Sequence, residues 1–382
     1  MNLADMLTFA DIGQLTTIAS HYQCECKRNS KQELIQSILV TLNRREFIGQ
    51  QIRCLSVDDL RFLNAILFDS RSYFNVEELI AIIRQTSFQI AEGERAKDQP
   101  KIPSPREVIA RFKSSGWLFN GMTQHTRYLF QVPEDLKERF QKELGSYVKS
   151  TMNFTEEPAV YREEQGLVAE DLFIFLRYVH QQEIEMNQEG TMYRRTQQQI
   201  MESFHITEAL LSKGGWRFGY GRTFTAYPSR LALIYDYAFH MNYIEEMGHR
   251  LKITNMGMER LEQGKSEGMV QIFRYWLRMY KQPIPNLSSL VYWIGHCARE
   301  WITLSSLHEA LGWLIKPYYY DTSQSIMEQR VLQMMMHLGL VRIGGTEAEG
   351  TVVKMTVWGN KMVEKCTLHA KDDELDLRID KV

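Results

Sequence analysis

Three stretches of this chain share one order of elements: a helical segment, a short apolar strand, a polar loop, a second apolar strand and a turn. The stretches cover residues 114–136, 241–261 and 338–363. Two short apolar strands separated by a polar loop predict an antiparallel hairpin. Each of the three hairpins is preceded by segments with apolar residues at helical spacing, so the chain is expected to repeat one small helical unit that ends in a hairpin.

Helices followed by a terminal hairpin are typical of a winged helix-turn-helix. The predicted fold class is therefore mainly α with small β-hairpins (α+β), as tandem winged helix-turn-helix domains preceded by a small helical module. The boundaries follow from the periodic segments and the Gly- and Pro-rich breaks between them. We predict a helical module at 1–50, winged-helix domains at 55–145, 166–263 and 268–370, an acidic linker at 146–165 and a charged tail at 371–382.

The composition indicates a globular chain of several domains. Hydrophobic residues make up 44% and charged residues 24% of the 382 residues, too many apolar groups for a disordered protein. No apolar run reaches the roughly 20 residues of a membrane helix, and Asp5 and Asp11 do not fit a signal peptide. Five cysteines at irregular positions favour reduced thiols. We therefore expect a cytoplasmic protein without a membrane partner.

The net charge of −2 argues against a dedicated nucleic-acid binder, for which a basic balance is usual. The charge is nevertheless uneven along the chain. Acidic residues predominate from 156 to 189, whereas Lys and Arg predominate from 190 to 230. A local basic surface is thus compatible with the sequence even though a global one is not.

The basic, aromatic segment from Lys213 to Arg222 is the leading candidate for a binding site. Its arginines could contact phosphates and its aromatic rings could stack on bases. The candidate residues are Lys213, Trp216, Arg217, Tyr220 and Arg222. The alternative is a hairpin whose aromatic side chains belong to the core and whose arginines face water.

Two helices supply the remaining candidates. Arg194 and Arg195 begin a helix and could lie along a phosphate backbone, or could belong to an ordinary solvated face. Arg106, Arg111 and Lys113 lie on the helix that would enter the major groove in the first winged domain, although three cations on a surface helix are common. The equivalent helix of the third domain is rich in Met, which favours core or protein contact.

The second domain resembles the bacterial helicase-associated, XPB-type N-terminal winged-helix domains. The resemblance covers residues 166–263 and has a weaker counterpart at 355–363. It rests on a helix, a short strand, the pair Arg194–Arg195 at the next helix start, and Thr254-x-x-Gly257-x-x-x-Leu261 at the end of the wing. It implies association with helicase or repair machinery and brings no catalytic residues.

Catalytic and metal-binding patterns are missing from the sequence. There is no phosphate-binding Gly-x-x-x-x-Gly-Lys-[Ser/Thr] loop, no Gly-x-Ser-x-Gly and no His-Glu-x-x-His. Cys24-x-Cys26 with His21 lacks the fourth ligand of a structural zinc site. We therefore expect a non-enzyme with no catalytic residue, cofactor or metal.

Two functions follow from these observations. The leading hypothesis is a multi-winged-helix protein that binds DNA or acts as an accessory factor in a DNA-associated complex for unwinding, repair or transcription. The alternative is a protein–protein interaction scaffold without direct nucleic-acid contact, whose partner is a helicase or a transcription or repair subunit.

Overall fold

The computed structural model of the 382-residue chain describes residues 1–44, 46–88, 103–212, 220–264 and 267–368. The chain divides into two compact units, Met1–Thr151 and Met152–Val382. Within the described residues both units are mainly helical and contain only small antiparallel sheets. The predicted α+β class is therefore confirmed, whereas the finer division into modules stays a prediction.

The first unit begins with four helices. They are α1 (Leu3–Phe9), α2 (Ile12–His21), α3 (Lys31–Leu42) and α4 (Phe47–Arg53). The side chain of Asp11 accepts a hydrogen bond from the N–H of Gln14, and that of Ser30 accepts one from Glu33, so both α2 and α3 begin at a capped residue.

The first repeat, residues 57–131, follows these helices. It contains α5 (Val57–Leu67), α6 (Val76–Thr86), α7 (Pro105–Ser114), β1 (Phe119–Asn120) and β2 (Phe130–Gln131), and α8 (Glu134–Lys149) closes the unit. Asn75 caps α6 and Pro105 opens α7, both as predicted. Between α5 and α6, Phe74 pairs with Phe130, so β2 has β1 on one side and Phe74 on the other.

The second unit begins with β3 (Tyr161–Arg162), and the second repeat occupies residues 167–253. The repeat contains α9 (Leu167–Gln181), β4 (Ile184–Glu185), α10 (Arg194–Ser203), α11 (Ser229–His240), β5 (Ile244–Met247) and β6 (Arg250–Ile253). Two helices follow it, α12 (Asn255–Glu262) and α13 (Met269–Tyr280). The sheet order is β4-β6-β5, so the first strand pairs with the last.

The third repeat, residues 287–355, has the same order. It contains α14 (Leu287–Cys297), β7 (Ile302–Thr303), α15 (Leu304–Leu311), a 3-10 turn (Gly312–Leu314), α16 (Ser323–Ser325), a π-helical stretch (Ile326–Leu332), α17 (Gln333–His337), β8 (Val341–Thr346) and β9 (Gly350–Met355), and α18 (Val357–Leu368) follows. Segments 323–337 run on without a break and form the third helix of this repeat. Its sheet order is β3-β8-β9-β7.

All three repeats thus follow one scheme: helix, strand, helix, helix, strand, strand, with the first strand or bridge paired to the last strand. The strand pairs predicted from the sequence at all three places are present.

Residues 153–162, within the segment predicted to be an acidic linker, form a strap along the sheet of the third repeat. The N–H of Thr155 donates to the carbonyl of Trp301 at 2.9 Å beside β7, and β3 pairs with β8 at the opposite edge. The acidic residues Glu156 and Glu157 are exposed, as expected for a linker. The backbone of the strap, however, is not that of a solvated linker. It pairs with the edges of the sheet, because edge strands have N–H and C=O groups that need partners.

Candidate functional site

The third helix of the first repeat, α7, has one open face. Arg106 and Ala110 are exposed and Lys113 is half-buried, and their spacing of four and three residues places them in one row along the helix. The opposite face packs on α6 and α2 through Val108, Ile109 and Phe112. The small side chain of Ala110 between two cations leaves room for a ligand to approach the helix backbone.

The three cations predicted on α7 have different surroundings. Arg111 forms an ion pair with the nearly buried Asp59, so its charge is already balanced inside the unit. The ammonium group of Lys113 lies 5.3 Å from the centre of the Phe130 ring, which connects α7 to β2. Arg106 is exposed in the first turn of the helix. Arg106 and Lys113 are therefore better placed than Arg111 to meet an anionic ligand.

The loop between β1 and β2 adds a basic, aromatic group that the sequence analysis missed. The guanidinium of Arg127 lies 4.5 Å from the centre of the Tyr128 ring, and Tyr128 is 68% exposed. The carbonyl of Arg127 accepts a hydrogen bond from Nδ2 of Asn120 at 3.1 Å, so the loop has a defined shape. The signal in the sequence was the absence of any acidic residue from 116 to 133.

In the second repeat, Arg194 and Arg195 are both exposed at the start of α10, as predicted. Arg194 donates to the backbone carbonyl of Leu211 and so anchors the segment that follows α10. The neighbouring Gln197 is buried and donates to the carbonyl of Met192 at 2.8 Å, so it does not belong to the polar face. This face is smaller than the sequence suggested.

Only part of the segment Lys213–Arg222 can be compared with its prediction. Lys213, Trp216 and Arg217 lie outside the described residues. Tyr220 was a candidate for stacking on a base, with a place in the core as the alternative; it is buried against Tyr280, with ring centres 5.0 Å apart. The core alternative therefore holds for Tyr220, and this corrects its place among the binding candidates.

Arg222 lies at the surface but has partners within the unit. Its Nη2 lies 2.7 Å from Oε2 of Glu246, and its guanidinium lies 4.1 Å from the centre of the Phe239 ring. The hydrogen bond to Glu246 raises the pKa of Arg222 above its ordinary value. The backbone N–H of Arg222 also donates to Asp236 at 2.8 Å. This arginine therefore helps to fix the chain before α11.

In the second and third repeats, α11 and α17 are enclosed, unlike α7. In α11 every residue from Arg230 to Ala238 is buried. In the third repeat Met334, Met335, Met336 and His337 are all buried, and α17 packs against α11. The two helices that would correspond to α7 are thus in contact with each other.

A buried ionic cluster lies at this contact. Arg230 of α11 has no exposed side-chain surface; its Nη1 donates to Oε2 of Glu164 at 2.7 Å and its Nε to Oδ2 of Asp171 at 2.6 Å. Nδ1 of His337 lies 2.9 Å from the same oxygen of Glu164. On the other side of the ring, Nε2 lies 3.4 Å from Oε1 of Glu208, an ionic contact that is not aligned as a hydrogen bond.

The sequence analysis did not find this cluster, because its members are far apart in the chain and each looks like an ordinary surface residue. Glu164 was assigned to the linker. The one indication was composition: Arg230 lies among apolar residues on a helix with no polar face. An arginine in such a helix must find buried carboxylates, since an unpaired buried charge is costly.

Comparison of the chain with protein-family models, with curated proteins and with solved structures finds no match. Within the described ranges, no group of three or more His, Cys, Asp or Glu side chains is placed to hold a metal ion. None of the helices in the described part of the chain has both the length and the apolar character needed to cross a bilayer.

Proposed function

We propose that the three repeats are winged helix-turn-helix domains and that the chain is a non-enzymatic protein that binds duplex DNA through the first of them. The shared order of elements supports the first part, with the loop between the last two strands as the wing of each repeat. In this arrangement the third helix is the one that enters the major groove.

One observation supports the choice of the first repeat. Of the three third helices in the described ranges, only α7 has an exposed Arg or Lys: Arg106 is exposed, and the half-buried Lys113 lies in the same row. The exposed residues of the third helix in the third repeat are Gln324, Glu328 and Gln329, whereas those of α11 are Phe239 and His240. Arg106 and Lys113 would contact phosphates on the two sides of a groove, and Arg127 of the wing would contact the neighbouring backbone.

The expected binding is of modest affinity and depends strongly on salt. With a net charge of −2 there is no global attraction to DNA, so a few local contacts must supply it. Each phosphate contact releases condensed counterions and contributes about −0.9 to the slope of log K against log salt. Three cations therefore predict a slope of roughly −3.

The test is fluorescence anisotropy of a labelled mixed-sequence duplex, titrated with the full chain between about 50 and 200 mM salt. The double variant Arg106→Ala, Lys113→Ala should bind more weakly and have a slope shallower by about 2. Arg299→Ala is the control, because Arg299 is exposed in the second unit. Equal binding by all three proteins, or binding without salt dependence, would contradict the proposal.

A second candidate function is a scaffold that binds a protein, such as a helicase or a transcription or repair subunit, without contact to DNA. The enclosure of α11 and α17 favours it, because these two helices have no open face for a DNA groove. In that case the full chain would show no salt-dependent DNA binding. A partner of this class would be captured in about 1:1 ratio by the wild type and equally by the α7 double variant.

A further inference from the structure

The buried ionic cluster joins the second and third repeats across the contact between their third helices. Arg230 lies on α11 and Asp171 on α9, both in the second repeat, while His337 ends the third helix of the third repeat. Glu164 lies just beyond the strap, and Glu208 follows α10. The contact between α11 and α17 therefore depends on charges supplied by five segments of the chain.

The geometry around His337 favours an imidazolium. Both ring nitrogens face carboxylate oxygens, Nδ1 at 2.9 Å from Glu164 and Nε2 at 3.4 Å from Glu208. A neutral imidazole has one N–H, so its other nitrogen would turn a lone pair toward a carboxylate. Only the protonated ring can face an acceptor with each of its nitrogens.

The charges of the whole cluster lead to the same protonation state. Its carboxylates are Glu164, Asp171 and Glu208, and its cations are Arg230, Arg162 and His337. His205, which is part-exposed, contacts Asp171 at 2.9 Å and Glu170 at 3.2 Å. At the start of the neighbouring β8, Arg342 is paired with Glu163. Glu164 and Asp171, which are fully buried, and the part-buried Glu208 carry three negative charges, which Arg230, Arg162 and His337 balance only while His337 carries its proton.

We propose that His337 is a proton-dependent latch between the second and third repeats. With its proton, His337 holds α17 to Glu164 and Glu208 and so keeps α17 against α11. When the proton leaves, the cluster is one positive charge short and a lone pair faces a carboxylate. The contact then opens and uncovers the enclosed faces of the two third helices. The latch does not depend on DNA binding by α7.

The direction of the pKa agrees with this arrangement. Burial alone would lower the pKa of His337, but Glu164 and Glu208 outweigh burial, and the pKa lies above its ordinary value of 6.5. A raised pKa means that the latch stabilises the contact fully below pH 6.5 and loses its contribution as the pH rises through the folded-state pKa. The pKa values of Glu164 and Glu208 are lowered, against the effect of their own burial, so both stay ionised in that range.

The experiment is hydrogen exchange of the full chain from about pH 6 to about pH 9.5, reported as protection factors so that the intrinsic pH dependence is removed. Protection of α11 and α17 should fall by up to about tenfold per pH unit between pH 6.5 and the folded-state pKa of His337, and should level off above that pKa. The pH at which protection levels off should coincide with the titration of the His337 ring by NMR. Helix α14 of the same unit and α8 of the first unit are the internal references.

Two variants keep the proposal falsifiable. His337→Gln should remove the pH dependence of α11 and lower its protection already at pH 6. Should that variant not fold, Glu208→Gln, at the edge of the cluster, should move the loss of protection to lower pH, because one of the two carboxylates that raise the pKa is gone. Unchanged protection of wild-type α11 across the titration of His337, or parallel loss in α14, would overturn the latch.

Discussion

At the residue scale, Arg230 shows how a single side chain determines the arrangement of its surroundings. Its guanidinium is fully buried and bonds to both Glu164 and Asp171, which are themselves fully buried. A buried ion pair adds little net stability over an apolar replacement of all its members, but removal of one member leaves an uncompensated buried charge. The cluster therefore specifies which segments meet more than it strengthens their contact.

Arg230→Met should destabilise the second unit by about 3–5 kcal/mol, because two carboxylates lose their partner. Arg299→Ala is the matched control: its ion pair with Glu364 at 3.3 Å is exposed and should contribute at most about 1 kcal/mol. Denaturant unfolding followed by far-ultraviolet circular dichroism measures both. If Arg230→Met lowers the free energy of unfolding no more than Arg299→Ala does, the buried cluster is dispensable for stability.

The sequence predicted residue positions better than residue roles. Arg106, Arg194 and Arg195 were expected at the surface and are exposed there. Tyr220 looked equally available, but its ring contacts come from Tyr280 and Tyr318, which are distant in the chain. Local pattern gives the periodicity of an element, whereas the partner of a side chain depends on packing between elements that single-sequence patterns do not encode.

At the element scale, the strap accounts for one of the two glycines in β8. A Cβ atom on Gly344 would lie 2.5 Å from Cγ of Pro158 and 2.9 Å from the carbonyl oxygen of Val160. At the adjacent Gly345 the nearest atom is 4.0 Å away. The strap can therefore approach β8 closely only where the strand has no side chain.

Gly344→Ala should destabilise the second unit by roughly 1–3 kcal/mol, because the strap must move away from β8. Gly345→Ala is the control in the same strand and should be neutral or slightly stabilising. Thermal unfolding compares the two variants with the wild type. A lower thermal midpoint for Gly345→Ala than for Gly344→Ala would show that the strap does not lie in close contact with Gly344.

The strap also has backbone pairing that the linker prediction did not include. The pattern of acids in residues 146–165 is that of a solvated segment, and the side chains of Glu156 and Glu157 are indeed exposed. A strand is predicted from alternating apolar and polar residues, and in this segment the alternation is broken by Pro158 and by charged residues. The pairing comes from the open edges of β7 and β8, which lie far away in the sequence.

At the scale of the whole molecule, the chain divides into two compact units, while the finer modules expected from the sequence stay a prediction. The three hairpins were predictable because each is local. The joining of the second and third repeats was not, since it rests on Arg230, Glu164 and His337, whose pairing is non-local. The helices and hairpins of each repeat follow from local sequence. Which repeats pack together depends on contacts between residues that are far apart in the chain.

Fragments of the chain test this grouping. A fragment of residues 152–382 should be monomeric and folded, because it contains the complete second unit. A fragment of residues 163–382 lacks the strap but keeps Glu164, and it leaves β7 and β8 with unpaired edges, so it should associate or aggregate. Size-exclusion chromatography with light scattering distinguishes the outcomes. A monomeric shorter fragment with an unchanged thermal midpoint would contradict a structural role of the strap.

The pairing of β3 with β8 also has a consequence for biosynthesis. Tyr161 pairs with Gly344, so β3 leaves the ribosome long before its partner strand has been translated. At typical rates of elongation this delay is on the order of ten seconds. During that time Val160 and Tyr161 remain without a sheet to join, and a nascent chain of this protein is exposed to chaperones for as long as its C-terminal strands are missing.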